Sequence, residues 1–130
     1  MKTLLNNNIC HPNILCYKNY AYYPTKQYAY IITEYLDNYR DMAKIITDNN
    51  NNISNENIIS IMKQLVGALQ YVHDKKIVHG DIKPNNIMVS TDYKNVKLID
   101  FGLSSLNNNI LNKCDEVNVN KCLGTLFFIC

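Results

Sequence analysis

The chain has 130 residues, 13 Lys+Arg against 11 Asp+Glu, a formal net charge of +2 and 47% hydrophobic residues, enough to build one small core. Its lysines are scattered with no basic run of five or more, so no nucleic-acid footprint is expected. The five cysteines, Cys10, Cys16, Cys114, Cys122 and Cys130, form no CxxC pair, have no histidine at zinc-finger spacing and are odd in number. That pattern argues against a structural zinc and against a full disulfide framework, and it fits a reducing compartment.

Met1-Lys2-Thr3-Leu4-Leu5 carries a signal-like charge, but Asn6-Asn7-Asn8 ends the apolar stretch before it reaches the length of a signal core. No window holds about 18 apolar residues in a row, so no membrane contact is expected and the chain reads as soluble and cytoplasmic. Asparagine runs at 6–8, 49–52 and 107–109 separate apolar segments and read as loops. Residues 14–36 are rich in β-branched and aromatic types, with a turn at Tyr23-Pro24-Thr25-Lys26, which predicts a hairpin of 14–22 with 28–34. The tyrosines crowded between Tyr17 and Tyr39 have only Lys18 and Lys26 interleaved, too few basic residues for a base-stacking platform, so they read as strand residues.

From Ser54 to His73, Ile58, Ile61, Met62, Leu65, Ala68, Leu69 and Val72 recur at three and four, the period of a helix buried on one face. Ser54 is its expected N-cap, and Glu56 suits the dipole of the first turn. Three short strands follow at 77–79, 87–89 and 96–99, the last two joined as a hairpin through the turn at 90–95.

The densest chemistry lies in His79-Gly80-Asp81-Ile82-Lys83-Pro84-Asn85-Asn86 and, after the predicted hairpin, Lys97-Leu98-Ile99-Asp100-Phe101-Gly102. An acid, a lysine two residues on, an amide three further and a second acid form a set suited to phosphoryl transfer. One carboxylate can orient a hydroxyl, the lysine can neutralise the moving phosphoryl, and the amide and second carboxylate can hold a metal. With these residues the chain resembles the protein kinase family, whose catalytic loop has the form H-R-D-x-K-P-x-N and whose metal loop reads D-F-G. The resemblance implies Asp81 as catalytic base, Lys83 as phosphate contact, Asn86 and Asp100 as Mg²⁺ ligands, ATP as the other cofactor, and a protein with Ser or Thr hydroxyls as substrate.

Further matches implied by the resemblance run in both directions. His11-Pro12-Asn13-Ile14-Leu15 is similar to the lead into the fourth strand of the small lobe. Ile31-Ile32-Thr33-Glu34-Tyr35-Leu36 looks like a hinge, with Thr33 as gatekeeper, the backbone of Glu34 and Leu36 facing adenine, Asp41 near the ribose and Met88 on the pocket floor. Gly124-Thr125-Leu126-Phe127-Phe128 resembles the closure of the activation segment, where Thr125 would bond the catalytic acid and lysine. The implied architecture is a partial two-lobe α+β kinase fold: 1–33 from the small lobe, 34–37 the hinge, and 38–130 the first part of the large lobe.

Departures from the pattern shape the expectation. Gly80 stands where most protein kinases have an arginine that grips a phosphorylated activation segment, and Lys121 stands where a phosphosite often lies. No Gly-x-Gly-x-x-Gly and no lysine on an early strand occur, so activity of the chain alone is expected to be impaired and a completing or regulatory partner chain is a possibility. Two other readings stay open. His79-Gly80-Asp81 also resembles the loop of antibiotic and choline phosphotransferases, and a binding module without transfer is compatible with the missing phosphate loop.

Overall fold

A computed structural model describes residues 10–48 and 53–106. In chain order the elements are strands β1 (Tyr17–Tyr23), β2 (Tyr28–Thr33) and β3 (Tyr39–Asp41), helices α1 (Met42–Thr47) and α2 (Asn55–Asp74), then strands β4 (Ile77–Val78), β5 (Ile87–Ser90), β6 (Val96–Leu98) and β7 (Ser105–Leu106). Single 3-10 turns sit at Pro24–Lys26 and Pro84–Asn86. The asparagine runs, Lys121 and Gly124-Thr125 lie outside the described residues.

The organising element is α2. Ser54 Oγ accepts from Asn57 N at 3.2 Å and so supplies one of the acceptors that the first turn lacks. The helix buries Ile61, Leu65, Ala68 and Val72 along one stripe. Ile58 and Met62, predicted on the same stripe, lie at its edge and are exposed together with Ile59 and Val66. The chain leaves the helix through Lys76 in a left-handed conformation (φ 60°), with Lys76 N bonded to His73 O at 2.8 Å.

Against α2 lies an antiparallel sheet in the order β3-β5-β6. The expected hairpin of β5 with β6 pairs Ile87 with Leu98 and Val89 with Val96. Its turn is closed by Ser90 N to Asn95 O and Asn95 N to Ser90 Oγ, both 2.9 Å. Gln64 fixes the turn to the helix: Nε2 donates to Lys94 O at 2.9 Å, while Oε1 accepts from Val96 N at 3.2 Å and from Asn13 Nδ2 at 2.7 Å. The core assembled here is Ile14, Ile45, Ile61, Leu65, Ala68, Val72, Ile77, Ile87, Val89, Val96, Leu98 and Phe101.

The first hairpin forms, but its leading strand begins at Tyr17 rather than Ile14. Residues before it are claimed by the core instead: Ile14 is wholly buried, makes a parallel bridge to Leu98, and Leu15 N donates to Leu98 O at 2.9 Å. The β1–β2 ribbon pairs Tyr17 with Thr33 through Tyr23 with Tyr28, with a bulge between Tyr17 and Asn19. β3, α1 and β7 have no strong sequence signal. Each is short and owes its conformation to a partner, β3 to β5 and β7 to β4.

Candidate active site

The chain from Val78 to Ile99 folds around a buried histidine. His79 Nδ1 accepts from Asp81 N at 3.2 Å, and its other ring nitrogen, Nε2, bonds Ile99 O at 2.9 Å. These partners require a neutral ring protonated at Nε2. Burial holds the histidine below its ordinary value against the opposing pull of the Ile99 carbonyl and the Asp81 and Asp100 charges. Its ring packs on Phe101, also buried, with centroids 4.4 Å apart. One imidazole thus ties the backbone before Asp81 to the backbone before Asp100.

Asp81 is 7% exposed and held from two sides. Asn86 Nδ2 donates to its carboxylate Oδ2 at 2.9 Å and to its backbone O at 2.8 Å, and Lys83 Nζ stands 2.8 Å from the same Oδ2. Pro84 opens the 3-10 turn that carries Asn86 back toward Asp81, since a proline fits the first position of such a turn and prevents continuation of an extended run. A carboxylate buried this far would be costly to ionise without such partners.

Asp100 is brought beside this group by the backbone bond from Ile99 N to Asn86 O at 2.9 Å together with the His79 bond to Ile99 O. It adopts φ 58°, and its Oδ1 accepts from Gly102 N at 3.1 Å, so the exposed carboxylate closes its own tight turn. Both Asn86 amide hydrogens go to Asp81, which leaves its oxygen as the side chain's remaining function. That oxygen and the Asp100 carboxylate are hard donors of the kind Mg²⁺ takes, and Mg²⁺ commonly binds one or two such protein ligands while phosphate and water complete its shell. Among the described residues no cluster of three His, Cys, Asp or Glu is poised for a metal, so the donor set suits this shared mode rather than an all-protein cage.

Gly80 has φ +83°, and a Cβ built on it would lie 2.9 Å from Leu103 O. The glycine therefore belongs to the close approach of the chain after Phe101. Only a residue without a side chain fits this backbone unstrained.

The remaining expected residues fall on the sheet side. Asp41 and Met88 are cross-strand partners in β3 and β5, which brings them together. The Asp41 carboxylate caps α1 through Lys44 N at 2.7 Å and pairs with Lys44 Nζ at 3.2 Å. Thr33 ends β2, and its hydroxyl donates to Glu34 O at 2.9 Å; Leu36 follows, half-buried. Glu34 is joined to β6 by Lys97 Nζ at 2.6 Å and accepts from Cys16 N at 2.7 Å. Burial pushes its carboxyl up, but the Lys97 bond and charge and the Cys16 amide together hold it below its ordinary value. Tyr17 reaches from the ribbon to the Asp100 turn, its hydroxyl accepting from Phe101 N at 3.4 Å. Thr125 lies outside the described residues.

Sequence reading misses three supports of this site. His79 carries a signal, a histidine two residues before the acid at the end of an apolar run. Lys97 with Glu34, and Gln64 with Asn13 and Val96, carry none, because residues 63, 51 and 32 positions apart meet only through the fold.

Comparison with known proteins extends over the whole of this arrangement. The family model for the protein kinase domain matches residues 2–130. A protein of Dictyostelium discoideum named as a probable serine/threonine-protein kinase is 37% identical over 127 residues, covering 91% of this chain and 18% of that protein. Calcium-dependent protein kinase 5 of Plasmodium berghei is 32% identical over 129 residues, covering 97% of this chain and 21% of its own length. Among solved structures, the crystal structure of the yeast RNA Pol II CTD kinase CTDK-1 complex matches with a TM-score of 0.68 at 32% identity, over 82% of this chain and 34% of that one. The chain spans about a fifth of the length of these curated relatives. With a buried acid, lysine and amide joined to a D-F-G turn on a partial two-lobe α+β fold, the chain belongs to the protein kinase family.

Proposed function

We propose that this chain is the catalytic-loop part of a serine/threonine protein kinase, which transfers the terminal phosphoryl of ATP to a protein hydroxyl. The observation that carries the reading is the Asp81 carboxylate, held by Asn86 at 2.9 Å and Lys83 at 2.8 Å in a loop that His79 joins to Ile99, the residue before Asp100. In this role Asp81 accepts the proton of the incoming hydroxyl, and Lys83 moves its charge from Asp81 toward the transferring phosphoryl. Asn86 and Asp100 would hold Mg²⁺, which would supply neutralisation of phosphate charge. The Ser/Thr assignment rests on Lys83-Pro84, on the names of the relatives and on Thr125, which would bond Asp81 and Lys83.

On the same reading, residues 1–33 belong to the small lobe, 34–37 to the hinge and 38–130 to the first part of the large lobe. Thr33, the backbone of Glu34 and Leu36, and Met88 would surround adenine. Asp41 would meet the ribose, in competition with its cap on α1. Residues 1–130 contain no Gly-x-Gly-x-x-Gly, so the phosphate cradle is not in this stretch, and we expect turnover by these residues alone to be weak. Among the described residues no helix is long and apolar enough to cross a membrane.

The test is a thermal-shift titration of the chain with Mg²⁺-ATP beside Asp100→Asn and Asp81→Asn. A ligand at about 100 times its Kd adds roughly 2.7 kcal/mol to the folded state. The expected result is a metal-dependent shift that Asp100→Asn removes and Asp81→Asn keeps, with peptide phosphorylation lost in both. A shift without transfer to any peptide would favour the binding module, and transfer to a small aminoglycoside or choline-like alcohol would favour the small-molecule phosphotransferase.

A further inference from the structure

Cys10 and Cys16 have no part in the proposed phosphoryl transfer, yet their sulfurs lie 2.8 Å apart as free thiols. That is within about 0.8 Å of the length of a covalent bond between them. The turn between them creates the approach. Ile14 N donates to His11 O at 3.0 Å, and Asn13 N to His11 Nδ1 at 3.1 Å. The turn is pinned to the core by Asn13 Nδ2, which donates to Gln64 Oε1 at 2.7 Å and Val96 O at 2.9 Å, and by Leu98 N, which donates to Asn13 O at 2.9 Å. At its far end Cys16 is held by both backbone groups: its N donates to Glu34 Oε1 at 2.7 Å and its O accepts from Glu34 N at 2.9 Å. The sulfurs therefore meet because a folded scaffold holds them, and Cys10 is exposed to a soluble oxidant while Cys16 is half-buried behind it.

We propose that Cys10 and Cys16 are a redox-modification site that closes to a reversible disulfide by exchange with a small-molecule disulfide such as oxidised glutathione. Cys10, deprotonated, attacks one sulfur of that disulfide; its S–S bond breaks and one glutathione thiolate leaves. Cys16 then gives up its proton and attacks Cys10 Sγ in the mixed disulfide, releasing the second glutathione thiolate. Two protein thiols are oxidised, one oxidised glutathione is reduced to two glutathione molecules, and the two protons pass through water to the leaving thiolates. Cys16 suits the second role, since its hydrogen bond to Cys10, and next its burial, push its thiol up and keep it protonated until the mixed disulfide forms beside it. Reduced thiols in excess reverse both steps.

The two cysteines share one tryptic peptide, residues 3–18, whereas Cys114, Cys122 and Cys130 fall in others. The full chain is incubated with oxidised glutathione, its remaining thiols are alkylated, and it is digested without reduction. Peptide 3–18 is expected unalkylated and lighter by two hydrogens than its reduced form, and dithiothreitol returns two alkylatable thiols. Because residues so near in sequence can also pair in an unfolded chain, the same reaction is run in guanidinium, where formation is expected to be about tenfold slower for want of the scaffold's effective concentration. Cys16→Ser should trap glutathione on Cys10, and Cys10→Ser should leave Cys16 largely unmodified over the same time. Equal rates in the folded and unfolded chain, peptide 3–18 fully alkylated while other cysteines oxidise, or its linkage to Cys114, Cys122 or Cys130 would each overturn the proposal.

Discussion

The β1–β2 ribbon and the half of the chain built on α2 and the β3-β5-β6 sheet are both regular, yet they solve the problem of stability differently. The ribbon pairs along nearly its whole length but buries no side chain fully; Tyr20, Tyr22, Tyr23, Tyr28 and Tyr30 are all exposed. Its side-chain cohesion includes ring contacts, with Tyr23, Tyr28 and Tyr30 centroids 5.2 to 5.7 Å apart. In the other half, one helix stripe and alternating strand residues make a closed core with Phe101 and Ile14 fully buried. A two-stranded ribbon alone is marginal in water, and this one is tied to the core at one end, where Tyr17 packs against the core cluster and its hydroxyl accepts from Phe101 N. The loops around Asp81 and Asp100, by contrast, already have their foundation.

Substitution in the two regions should therefore differ most in stability. Phe101→Ala removes a fully buried ring that also packs on His79 and should cost about 3–5 kcal/mol, whereas Tyr30→Ala should cost at most about 1 kcal/mol. Denaturant unfolding of both variants checks this, and equal losses would break the comparison.

Next in size is Gly80→Ala. A non-glycine residue in that left-handed conformation costs about 1–3 kcal/mol, and the new Cβ would press on Leu103 O. Lower stability with little change in the ribbon's amide exchange would place the strain in the half built on α2, and no loss would mean that residues 102 and 103 yield.

Acidification should sharpen the contrast further. His79 titrates below its ordinary 6.5 in the folded chain, so the unfolded chain binds the proton first. Stability is then complete above that value and falls as the pH drops below it. Melting curves collected across this range should show the loss, and His79→Gln should flatten it. The ribbon contains no histidine, so its amide exchange should respond only once the core weakens.

The smallest effect is expected on the outer face of α2. Ile58, Ile59, Met62, Lys63 and Val66 line a shallow apolar groove, and Val66→Lys should change stability by no more than about 0.5 kcal/mol. A larger loss on denaturant titration would show that this face is covered in the folded chain.

Legibility in the sequence follows the same division. Ser54 and the apolar spacing through Val72 mark α2 to within a residue of each end, because a cap and a 3.6-residue period are local properties. The 87–89 and 96–99 strands and their turn are legible for the same reason. Tyr39–Asp41 and Ser105–Leu106 are not, since so short a strand is decided by the partner it finds. Ile14 reads as a strand residue and becomes a core residue because Leu98 competes for it.

By itself the amino-acid sequence determined the order of the chemistry: the acid, lysine and amide of residues 81–86, the turn acid at 100, and the helix before them. These are covalent spacings and short-range propensities, which no tertiary partner needs to supply. Only the tertiary structure decided that His79 would tie the two loops together, that Gly80 would lie under Leu103, that Lys97 would reach Glu34, and that Cys10 would rest on Cys16. Each of those depends on distances between segments, which arise only when the core of α2 and the sheet closes and fixes them.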